Sequence, residues 1–110
     1  MIEDTIAGIE SRLAHAQGLS AEQRAELQGL VAQLKAELVR FSATNSDQAR
    51  SIAGYVDLST HEISRAEKHP GLLNHAVAGL SYSVAGLETQ HPRLTATINA
   101  ICAALANSGI

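Results

Sequence analysis

The sequence predicts an all-α fold, a short antiparallel bundle of four to five amphipathic helices, and three observations carry that expectation. Apolar residues recur in alternating steps of three and four along most of the chain, the spacing of one helix face. The apolar volume comes from Ala, Leu, Ile and Val, with aromatics at only 3% (Phe41, Tyr55 and Tyr82), a palette suited to closely packed helices. The interruptions fall where helices end and begin: Gly18 to Ser20, "SATNS" at 42 to 46, "HPG" at 69 to 71 and "HP" at 91 to 92.

Taken in order, Ile2, Ile6, Ile9, Leu13 and Ala16 form the apolar face of a first helix, with Glu3 and Asp4 in the turn where the helix dipole favours negative charge. Gly18 is expected to close it as a left-handed residue. Ser20 and Gln23 have the form of a capping box and open a second helix, whose face is Leu27, Leu30, Val31, Leu34, Leu38 and Phe41. A third helix is expected from Ser46, presenting Ile52, Val56, Ile63 and Ala66, and ending just before Pro70 and Gly71. A fourth is expected from about Leu72 to Thr89, with Leu73, Val77, Leu80, Val84 and Leu87 on its seam, and a fifth carries Leu94, Ile98, Ile101, Cys102 and Leu105. The seam of the fourth continues through His91 into the fifth without losing phase. An interior proline nevertheless removes a hydrogen bond and clashes with the carbonyl four residues back, at about 3 kcal/mol. A break at 90 to 91 with Pro92 as the first helical residue is therefore expected.

At 110 residues the chain fits one domain with a core large enough to do without disulfides or a structural metal. Cys102 is the single cysteine, and the opening "MIEDTIAGIESRL" lacks the basic and then strongly apolar run of a secretory leader, so the expected compartment is the cytoplasm. No window is apolar enough for a transmembrane segment. Residues 1 to 50 carry 7 acids and 5 bases and residues 51 to 110 carry 4 and 3, so neither half is basic. With few aromatics to stack on bases, nucleic acid is not an expected partner.

Charge is unevenly placed. From His69 onward the only Asp, Glu, Lys or Arg residues are Glu88 and Arg93, whereas an exposed helix normally carries a charged face. Either the fourth helix is central, covered by the charged first three, or the fourth and fifth form a surface for self-association, depleted of charge as interface cores are. The expectation is a homo-oligomer joined through Leu73, Val77, Leu80, Val84 and Leu87, which Val84→Glu would separate.

Three constellations could carry chemistry. "HEISR" at 61 to 65 begins like the zinc-protease helix motif, but Arg65 stands where a second histidine is needed, and the segment reads instead as a solvent-facing row of Asp57, His61 and Arg65. Glu88 and His91 form one Glu-x-x-His unit of the kind that di-iron bundles use twice; a dimer could supply the second, with Glu26 or Glu37 as further ligands. Cys102 has no sequence neighbour that would activate it. No cofactor and no catalytic residue is expected.

The closing "HPRLTATINAICAALANSGI" resembles the C-terminal signature of a family of short bacterial proteins catalogued as domain of unknown function 4404. The resemblance rests on His91, Pro92 and Leu94, followed by an amphipathic helix and a final Gly109 and Ile110. The amphipathic pair from Ser11 to Leu38 is similar too. It implies a small helical bacterial protein and brings no activity and no catalytic residues. The expected function is a non-enzymatic, self-associating structural or adaptor module; the alternative is a metal- or small-ligand-binding bundle built on a homodimer around Glu88 and His91.

Overall fold

The computed structural model describes residues 2–108, so Met1 and the Gly109 and Ile110 step lie outside the described residues. Five helices form: α1 (Ile2–Ala14), α2 (Ala21–Ser42), α3 (Ser46–Ile63), α4 (Pro70–Ser83) and α5 (Pro92–Ser108). The capping box is made as expected. The Gln23 amide donates to the Ser20 hydroxyl at 3.1 Å, and the Ser20 amide donates to the Gln23 side-chain carbonyl at 3.0 Å, which satisfies two orphan donors at the start of the longest helix.

Each helix turns its apolar stripe to a common core, in which Ile6, Ile9, Leu34, Leu38, Ile52, Leu80, Ile98 and Ile101 are fully buried. The helices close into a ring of neighbours in the order α1, α2, α5, α4, α3 and back to α1. Within that ring α3 also touches α2 and α5, so it contacts all four others, while α4 packs only on α3 and α5. The central helix is therefore α3. Its small polar residues Ser59 and Thr60 are buried; the Thr60 hydroxyl donates back to the Val56 carbonyl at 2.9 Å, which keeps it satisfied inside.

Pro92 is the first residue of α5, so the chain breaks rather than kinks there. The fourth helix, however, stops at Ser83 and not near Thr89. The chain then turns, with Gly86 at φ 87°, the one described residue in the left-handed region, and with the His91 amide donating to the Leu87 carbonyl at 2.8 Å. The three-four spacing survived this turn because Val84 is still buried and Leu87 still packs on the core, though neither is helical. The third helix also ends early, at Ile63, and Ala66 lies exposed in the connection to α4.

Gly18 is corrected as well. The first helix ends at Ala14, and Gly18 does not adopt a left-handed conformation. It is needed for close approach: a Cβ there would come within 2.5 Å of the Arg65 carbonyl oxygen and 2.9 Å of that of Ile63. The loop between α1 and α2 thus lies directly on the end of α3, and the Lys68 ammonium donates to the Gly18 carbonyl at 2.5 Å to hold it. Arg24 secures the other side, donating to the carbonyls of Leu13 and Ala16 at the frayed end of α1. No helix of the described residues is long and apolar enough to cross a membrane.

Candidate functional site

The residues expected to join copies of the chain face inward. Leu73, Leu80 and Val84 are buried within the single chain, and Val77 and Leu87 pack against the same core, because α3 and α5 already occupy the seam of α4. The seam is core, so it offers nothing to a second copy, and any partner must meet other residues of α4. The candidates lie a quarter-turn away. Leu72, His75, Gly79 and Tyr82 follow one another in steps of three, four and three and form a second stripe, exposed but for half-buried Gly79.

That stripe continues onto α3. The Tyr55 ring lies over Gly79, where any Cβ would strike it, and Leu58 follows Tyr55 on the same face of α3. Four of the five large apolar side chains left exposed among the described residues belong here: Tyr82 at 83%, Leu58 at 46%, Leu72 at 45% and Tyr55 at 39%. None of the residues from His69 to Leu87 is Asp, Glu, Lys or Arg. The result is an apolar strip along the α3–α4 side of the bundle, to which α4 contributes no charged residue.

Glu88 and His91 are brought near each other only by sequence. Glu88 is exposed in the turn, and His91 stands before Pro92, so the pair does not share a helical face and the di-iron unit is not formed. The supporting glutamates fare no better, since Glu26 and Glu37 are eleven residues apart on α2, about 16 Å along its axis. No group of three or more His, Cys, Asp or Glu among the described residues could hold a metal ion. The His91 ring instead meets Phe41 edge-on, with ring centres 4.7 Å apart at 83°.

The two His-Pro steps therefore differ in use. His69 caps α4, its Nδ1 accepting from the Leu72 amide at 3.2 Å, whereas the His91 ring turns aside onto Phe41. In "HEISR" the expected row of Asp57, His61 and Arg65 is broken up. Asp57 pairs with Arg12 of α1 at 2.6 Å, and Arg65 pairs with Glu62 at 3.0 Å. Glu62 itself is only 5% exposed, a buried carboxyl group set beside the Arg65 guanidinium at the junction of α3 with the following turn.

Cys102 is half-buried, with its Sγ 3.9 Å from the Val77 carbonyl where α5 meets α4. Burial pushes its thiol above the usual value, opposed in part by a backbone hydrogen bond, so the reactive thiolate is scarce. Alkylation by iodoacetamide at pH 8 is expected to run at least about tenfold slower in the folded chain than in urea. Equal rates in the two states would contradict the packing described here.

No family model, curated protein or solved structure matches the chain. One further feature escaped sequence reasoning: a groove of about 410 Å³ between the end of α2 and the start of α5, lined by Arg40, Phe41, His91, Pro92 and Arg93 among others. The visible signal was Arg93, which has no acid within four residues on either side.

Proposed function

We propose that this protein is a non-enzymatic helical module that associates with a second copy of itself through the outer face of α3 and α4. The observation that carries the reading is Tyr82, 83% exposed on a helix without a single charged residue, on the stripe that runs through Gly79 under Tyr55 to exposed Leu72. Exposed contiguous apolar surface of this kind marks interaction sites, and tyrosine is among the residues most enriched at their centres. A second copy fits better than a charged partner. Two-fold pairing sets each patch against itself, which would repel if its centre carried charge of one sign, and the α4 half of this one carries none. The small, exposed Ala78 leaves room for a paired helix beside Tyr82, while Gly79 is already covered by the Tyr55 ring of the same chain. The resemblance of His91, Pro92 and Leu94 to a family of short bacterial helical proteins is in keeping with such a role, and it adds no competing activity.

Light scattering on untagged protein, coupled to size exclusion, tests the proposal. The chain is expected to run at twice its monomer mass of 11.6 kDa. Tyr82→Arg should weaken association by at least about thirtyfold while leaving the helical circular dichroism unchanged. A wild-type chain that remains monomeric at several hundred micromolar, or an oligomer indifferent to Tyr82→Arg and Leu72→Glu together, would sink the reading.

A further inference from the structure

Six of the eight lysine and arginine side chains lie away from the groove between α2 and α5, and five of those six are engaged. Arg12 and Arg65 have carboxylates, Lys35 meets Glu10 at 3.8 Å, and Arg24 and Lys68 donate to backbone carbonyls. The sixth, Arg50, is exposed on the open side of α3. The remaining two, Arg40 and Arg93, come from helices fifty residues apart in sequence and line the same groove. Neither has a carboxylate within ion-pair distance or a side-chain hydrogen bond among the described residues.

The surroundings of these two guanidiniums favour an anion on three counts. The first turn of α5 contains no acid and starts with Pro92, so the amides of Arg93 and Leu94 point out of the helix with its positive dipole end behind them. No described side chain caps them, since the His91 ring that could have done so lies against Phe41. Glu37 also lines the groove and opposes an anion, one of its carboxyl oxygens being buried without a hydrogen-bond partner, but against two arginines it leaves the formal local balance at plus one. The walls are not polar throughout. Phe41, Pro92 and Leu94 give one side an apolar surface, and 410 Å³ is within the range of small-molecule sites.

We propose that this groove binds a small oxyanion carried on an apolar or aromatic body, either a carboxylate or a phosphate monoester. Arg40 and Arg93 hold the anionic oxygens, the α5 amides add to them, and the body of the ligand lies on Phe41, Pro92 and Leu94. The planar fork of arginine suits both anions, since each presents two oxygens side by side. The inference is independent of self-association, because the α3–α4 face shares no residue with the groove.

The test is a titration of the full-length, isotopically labelled chain followed by amide NMR at constant ionic strength, with phenyl phosphate, benzoate, benzamide and inorganic phosphate as probes. Phenyl phosphate or benzoate should give saturable shifts centred on the Arg93 and Leu94 amides, and the tighter of the two shows which oxyanion the groove prefers. Arg40→Gln and Arg93→Gln should each weaken binding about fivefold, whereas Arg50→Gln should leave it unchanged. Both groove arginines are exposed, so the variants keep the fold, and their spectra report this directly. The proposal is overturned if benzamide binds as well as benzoate, if inorganic phosphate binds as well as phenyl phosphate, or if the groove variants behave like Arg50→Gln.

Discussion

Val84→Glu is expected to unfold the chain rather than to divide an assembly. Val84 is 2% exposed, at the point where α4 gives way to the turn, and its neighbours in the core are apolar. A carboxylate placed there meets no cation. The desolvation cost is several kcal/mol, and the lost apolar burial adds about 2 kcal/mol. Stabilities of single domains run to about 5 to 15 kcal/mol, so a change of this size removes a large share of the total. The melting temperature should fall by about 15 to 30 °C, or the variant should be unfolded from the outset. Thermal circular dichroism decides the matter: a variant that melts like wild type and only changes its mass would return the α4 seam to the role of an interface.

Gly18→Val should be nearly as damaging, for a different reason. The atoms in the way are the backbone carbonyls of Arg65 and Ile63, which cannot rotate aside as a side chain can. The loop between α1 and α2 must lift from the end of α3, and the Lys68 contact to the Gly18 carbonyl goes with it. A cost of about 3 kcal/mol and a melting temperature lower by about 15 °C are expected. Gly79→Ala supplies the contrast, because the obstacle there is the partly exposed Tyr55 ring, which can swing toward solvent. If the two substitutions cost the same, the close approach at Gly18 is not what the residue is for.

The helices nearest the N-terminus were legible because local signals and burial agree: the faces of α1 and α2 are the residues their spacing picks out, and the capping box is made. Misplaced ends have one shared cause. Periodicity reports which residues face the core, and Val84 and Leu87 do so from a turn, so the pattern alone stretched α4 by a turn and a half. Gly18 was expected to be left-handed and Gly86 is the residue that is, for a similar reason. A glycine needed for space and one needed for a left-handed turn look alike until the neighbouring chain is placed.

The seam of α4 was a correct reading of an apolar face attached to the wrong partner, since a sequence does not say whether α5 or another molecule covers it. Arg40 and Arg93 were each visible, but their convergence depends on α2 and α5 lying side by side, a contact across half the chain. Glu62 was hidden by its setting among solvent-facing letters: one residue before Ile63, it falls on the inner side of α3 and is tolerated there only because Arg65 is in reach.

The ring order of the helices places the first and last of them on either side of α2, which is flanked by α1 and α5. During synthesis α1 can cover its side of α2 as soon as both have left the ribosome, but the other side, including Phe41, waits for a helix that begins at Pro92. At ordinary elongation rates of about 5 to 20 residues per second, completing that helix takes roughly 3 to 13 seconds more. For that time the strip of α2 that ends at Phe41 has no α5 to lie against, and the fold can close only when the last helix arrives.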